Sequence, residues 1–138
     1  MSLGKLASLW AICVVVFFAL DFAWIAIATP RLYQPFLGSL LAEKPNLAVA
    51  AGFYLVYVIG IVALAVVPGI REGSVLAALW RGALLGLLAY ATYDLTNLAT
   101  IQGWPWQVSA IDMLWGTALN SAVAVAGFYA ARWLGLGA

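Results

Sequence analysis

An all-α, integral membrane four-helix bundle is the fold class this sequence predicts, on three observations. Of 138 residues, 67% are hydrophobic and only 8% are charged. Mean hydropathy is +1.07. So few charges cannot coat a soluble domain of this size. Four apolar segments each reach the roughly 20 residues that a helix needs to cross a bilayer. Proline, glycine or polar residues punctuate the ends of those segments. The whole chain, residues 1–138, reads as a single transmembrane domain.

The first span covers residues 6–28 and is expected to stop at Thr29-Pro30, because proline cannot continue the helical hydrogen-bond ladder. Lys5 ahead of it and Ala26-Ile27-Ala28 at its end imitate a signal peptide. The apolar stretch is too long for one and contains Asp21, so it reads as a retained span. In residues 29–46, Leu32, Tyr33, Phe36, Leu37, Leu40 and Leu41 recur near helical spacing, the pattern of a short helix lying in the interface. A structured loop with a few anchoring aromatics fits as well. The second span covers 47–67, with Asn46 as its N-cap and Pro68-Gly69 as its stop. Residues 68–73 form a tight turn, so the second and third spans are antiparallel neighbours. The third span covers 74–101 and ends before Gln102-Gly103-Trp104-Pro105; the fourth covers 106–134.

Lys5, Arg71, Arg81 and Arg132 fall on the side of the termini, and Arg31 and Lys44 on the other. The positive-inside rule then sets both termini in the cytoplasm. On this orientation Trp104 and Trp106 fit an outer aromatic belt, and Trp80 and Trp133 an inner one.

Three aspartates interrupt the apolar segments. An acid inside a span is expensive and is a functional-site hypothesis by default. At 1.5 Å per residue, Asp21 and Asp94 lie roughly 6–10 Å to the outer side of the midplane, and Asp112, on a helix running inward, reaches about the same level. Tyr54 and Tyr57 enter from the second span. On the third span Gly82, Gly86, Tyr90, Tyr93, Asp94 and Asn97 share an arc of about 120°. The Gly82/Gly86 pair admits a neighbouring backbone, so this arc faces protein. Trp10, Phe17, Asp21 and Trp24 share a face of the first span. Asp112, Trp115 and Gly116 share one of the fourth, with Asn120 at its edge. Turning these faces inward makes an outer-leaflet pocket walled by aromatics and floored by Gly86 and Asn120.

The candidate ligand-binding residues are therefore Asp94, Asn97, Tyr93, Asp21, Asp112, Trp24, Trp115, Tyr90, Tyr54 and Asn120. Asp94 is the expected centre, with Asn97 and Tyr93 orienting it and Asp21 as the second acid. Close carboxylates in a low dielectric cannot all stay ionised, so the site is expected to hold a proton or a cation. Each acid also has a structural reading: it can accept hydrogen bonds that fix helix register, and Asp112, close to its helix start, can act as a cap.

Composition narrows the chemistry. A net charge of +1 without a basic patch argues against nucleic acid as a partner. There is no histidine and one cysteine, Cys13, which excludes an internal disulfide and a His/Cys zinc site. No metal is expected, and no cofactor is assigned. The expected partners are membrane lipid and a small amphiphilic or cationic ligand. A homo-oligomer is compatible with four helices that enclose little.

Residues 89–100, Ala-Tyr-Ala-Thr-Tyr-Asp-Leu-Thr-Asn-Leu-Ala-Thr, followed by Asp112-Met-Leu-Trp-Gly116, resemble a family of small bacterial inner-membrane proteins known only as a domain of unknown function. Leu20-Asp-Phe-Ala-Trp-Ile25, Pro45-Asn46 and Gly52-Phe-Tyr-Leu-Val-Tyr57 fit the same pattern. The resemblance covers nearly the whole chain and implies a four-span protein. It implies no activity, substrate or cofactor. The family's genes tend to lie near those of lipid-modifying enzymes, which implies a lipid-related role. Three classes follow as expectations: a pocket that binds or moves an amphiphilic or cationic molecule or lipid; a membrane-embedded lipid-modifying enzyme with an Asp pair as acid and base; and a structural or assembly subunit of a membrane complex.

Overall fold

A computed structural model describes residues 1–137. It is all-helical among those residues, and four rods are long and apolar enough to span a membrane: Leu3–Leu40, Leu47–Glu72, Val75–Thr100 and Trp106–Trp133. The protein is a membrane protein. Its α-helices are α1 (Leu3–Ala28), α2 (Gln34–Leu37), α3 (Leu47–Ile61), α4 (Val67–Glu72), α5 (Val75–Thr100) and α6 (Trp106–Trp133).

Short polar side chains start three of the rods. Ser2, Asn46 and Ser74 accept from the backbone N–H groups of Lys5, Val49 and Ala77, which the first helical turn leaves without partners. Gly73 ends α4 in the left-handed region at φ 63°, a conformation that costs glycine little, and so sets the tight turn into α5.

The prolines do not stop the helices as the sequence reading expects. At Pro30 the chain widens into a π-helical turn, Thr29–Tyr33, where the Gln34 N–H donates to the Thr29 carbonyl, and then continues through α2 and a 3₁₀ turn, Gly38–Leu40. Ahead of Pro68 a second π turn, Val62–Val66, joins α3 to α4. A proline ring crowds the carbonyl four residues back, and a π turn moves the ladder by one residue there instead of breaking it. The first and second rods therefore run past residues 28 and 67. Residues 29–40 extend the first rod, and they pack against protein: Leu32 and Leu37 are buried with Trp104 and Val108 in a small separate cluster. Trp104 is accordingly not part of an interfacial belt, whereas Trp106, Trp80 and Trp133 are exposed.

The main core gathers Leu9, Cys13 and Phe17 of α1, Val58 and Ile61 of α3, and Leu119, Val123 and Phe128 of α6. Its tightest seam joins α5 to α6. A methyl group at Gly82 would stand 2.7 Å from the Ala124 side chain. One at Gly86 would meet the Gly116 carbonyl and come within 2.8 Å of Asn120. The glycine stripe thus faces protein, and its partner is the fourth span. The tight turn sets the second rod beside α5, where Arg81 pairs with Glu72 at 2.7 Å.

Candidate functional site

The topology brings Asp21, Asp94 and Asp112 to one end of the bundle, the end carrying residues 41–46 and 101–105. There the helices part around a cleft of two adjoining chambers. One, of about 610 Å³, is lined by Phe17 of α1, Asn46, Val49, Ala50, Phe53 and Tyr57 of the second rod and its cap, and Ala89 of α5. The other, of about 560 Å³, is lined by Asp21, Trp24, Tyr33, Trp104 and Trp115 among others. Tyr54, Tyr90, Tyr93 and Asp112 line both and form the shared wall.

Of the ten residues singled out from the sequence, Asp21, Trp24, Tyr54, Tyr90, Tyr93, Asp112 and Trp115 line this cleft. Asp94, Asn97 and Asn120 line neither chamber. Asp94 is 0% exposed, and no group donates to either carboxylate oxygen. Its neighbour among the acids is Asp112 and not Asp21. Asn97 stands beside the Tyr93 hydroxyl and does not orient Asp94. Tyr93 itself is 59% exposed, its ring edge-on to Trp104 at 6.0 Å. Gly86 and Asn120 do not floor the cleft. Asn120 is 0% exposed, accepts from the Tyr57 hydroxyl at 2.8 Å and donates to the Gly116 carbonyl at 2.6 Å, tying α3 to α6 below it.

Asp112 does not cap α6, whose N-cap is Pro105. It lies nearly two turns inside the helix and accepts from the Tyr33 hydroxyl at 2.6 Å. That hydroxyl in turn accepts from Trp24 Nε1 at 3.1 Å. Asp21, 4% exposed, accepts from Trp115 Nε1 at 3.3 Å, and its other oxygen has no donor. The Tyr54 hydroxyl stands beside Asp21 without meeting hydrogen-bond geometry. The Trp24 and Trp115 rings stack at 4.7 Å with 6° between their planes. On the far side of Asp94, Trp104 Nε1 donates to Ser109 Oγ at 3.0 Å, and that hydroxyl donates to the Asp94 backbone carbonyl at 2.8 Å.

Residues 6–129 match a family described as "Predicted membrane protein (DUF2177)". The chain belongs to that family. The family has no established function, and its description is the resemblance read from the Tyr90–Asn97 and Asp112–Gly116 signatures. No curated protein matches the chain, and no solved structure does.

In this family member the sequence reading misses Tyr33, Trp104 and Ser109. Tyr33 lies in the segment expected to rest in the interface, and nothing in its local pattern distinguishes it from Phe36. Trp104 beside Pro105 reads as a belt residue. Ser109 carried a faint signal, a hydroxyl one turn into an apolar helix at the depth of Asp94.

Proposed function

We propose that the protein binds, and in the membrane holds or moves, an amphiphilic or cationic small molecule or a lipid in the cleft between α1, α3, α5 and α6. The observation that carries this reading is the wall of Tyr54, Tyr90, Tyr93 and Asp112, which joins an apolar chamber to one edged by two carboxylates. Concave sites with apolar walls and a few convergent polar groups are where small molecules bind. The test is to fill the apolar chamber away from the acids. The wild type should carry a co-purified molecule, read by native mass spectrometry, and Ala50→Trp should leave a folded, helical protein without it. Unchanged occupancy in the filled variant sinks the reading.

The proximity of Asp94 to Asp112, which lines the cleft, favours a second reading: a membrane-embedded enzyme of lipid modification with that pair as acid and base. Conversion of a lipid by the purified protein in detergent, lost in Asp112→Asn, decides for it.

We assign the protein to the bacterial inner membrane with both termini cytoplasmic. The orientation is supported by the charge asymmetry, with Lys5, Arg71, Arg81 and Arg132 toward one end and Arg31 and Lys44 toward the other, and the membrane by the family resemblance.

A further inference from the structure

We infer that the chamber edged by Asp21 takes the protonated, N–H-bearing amine of an amphiphile, in preference to a quaternary ammonium or an uncharged head; this deepens the cleft-binding reading above and rests on it. The sign of the ligand's charge comes first. Asp21 and Asp112 both border the chamber, and Asp94 lies behind Asp112. Among the described residues none of the three has a cationic partner, and the one ion pair, Arg81–Glu72, belongs to the turn at the opposite end. A cation therefore meets carboxyl oxygens that no cationic side chain compensates here, and an anion meets acceptors only.

The requirement for an N–H follows from one atom. Asp21 is 4% exposed, its Oδ1 accepts from Trp115, and its Oδ2 is buried with no donor in hydrogen-bond geometry, the nearby Tyr54 hydroxyl included, in a side chain that borders the chamber. An unfilled acceptor on a buried carboxylate is costly. A quaternary ammonium can approach it but has no hydrogen to give, whereas an alkylammonium has up to three. The indole N–H groups of Trp24 and Trp115 are already committed to Tyr33 and Asp21. The stacked pair therefore offers the chamber ring surface, which attracts a cation. The shared wall leads on to Phe17, Val49, Ala50 and Phe53, a lining suited to the alkyl chain.

The chemistry is that of an alkylammonium, from either a free amphiphilic amine or an amino headgroup lipid. The experiment titrates the purified full chain, in a nonionic detergent, with dodecylamine, dodecyltrimethylammonium and dodecanol, and reads binding by calorimetry. Dodecylamine should bind about tenfold or more tightly than the quaternary compound, as one hydrogen bond to a buried charge provides. Asp21→Asn should bring the two within about threefold of each other. If that variant fails to fold, Trp115→Phe decides instead: it frees Oδ1 as well and should keep or widen the preference, and parity there overturns the inference. Equal or tighter binding of the quaternary compound by the wild type overturns the N–H requirement and leaves the cleft reading standing. Equal binding of dodecanol overturns the requirement for a cation. If none of the three binds and the Ala50→Trp protein keeps its co-purified molecule, the cleft reading fails with it. In nanodiscs, competition by phosphatidylethanolamine and not phosphatidylcholine assigns the amine to a lipid. Competition by neither assigns it to a free amine. Equal competition by both overturns the inference.

Discussion

The indole of Trp24 lies flat on that of Trp115, 4.7 Å between centroids and 6° between planes. Their N–H groups go to different acceptors, the Tyr33 hydroxyl and the Asp21 carboxylate. The stack therefore joins two chains of hydrogen bonds that reach three elements: Asp21 on α1, Tyr33 on the π turn, and Asp112 on α6. A relay of this kind holds the extension of the first rod against the fourth span.

Tyr33→Phe tests that tether. It removes the 2.6 Å bond to Asp112 and leaves the Trp24 N–H without an acceptor. We expect a loss of about 1–3 kcal/mol, the cost of stranding partly buried polar groups. Faster hydrogen exchange should be confined to residues 29–40. Exchange that stays at the wild-type rate in that segment means the small apolar cluster around Leu32 and Trp104 holds it unaided.

Gly86→Ala probes the α5–α6 seam. The added methyl would meet the Gly116 carbonyl and Asn120, backbone and a buried side chain that cannot rotate away. Overpacking of this kind costs about 1–3 kcal/mol. Gly52→Ala is the control, since nothing lies within 4 Å of its new methyl. Equal melting temperatures in detergent for the two variants would mean that the seam is looser than its geometry.

Asn120→Ala separates packing from binding. It breaks the Tyr57–Asn120–Gly116 chain inside the bundle, and the expected cost is about 1–3 kcal/mol. Because Asn120 lines neither chamber, affinity for the cleft's ligand should stay within about twofold of wild type, measured at a temperature where both proteins are folded. A tenfold loss would put Asn120 back among the binding residues.

Asp94→Asn exchanges a buried carboxyl without donors for an amide that can donate to Asp112. Stability should hold or rise by about 1 kcal/mol. A drop of several degrees in the thermal midpoint would show that Asp94 makes a bond essential to the fold.

Topology has its own measurement. In a variant lacking Cys13, cysteines placed at Ser39 and Gly103, both exposed, should react with an impermeant thiol reagent added to intact cells, and those at Ser2 and Gly73 should not. The reverse pattern would invert the orientation argued from the basic residues.

The sequence by itself determined the solvent, the number of rods and the depth of the acids. Hydropathy is a local, additive property, and a rise of 1.5 Å per residue carries Asp21, Asp94 and Asp112 to one level whatever the helices do laterally. It also showed the glycine face of α5, because Gly82 and Gly86 are one turn apart. The tertiary structure alone decided which acid meets which. Asp94 neighbours Asp112 and not Asp21, because the Gly82/Gly86 stripe draws α6 in against α5. Only the fold shows that Pro30 and Pro68 are passed by π turns, and that Tyr33 bonds Asp112 and Trp104 bonds Ser109 from outside the expected spans. The physical reason is the same in each case. Depth along a helix is set by counting residues, but the rotation of one helix about its axis, and the path of the segment beyond its end, are set by contacts with residues far away in the chain.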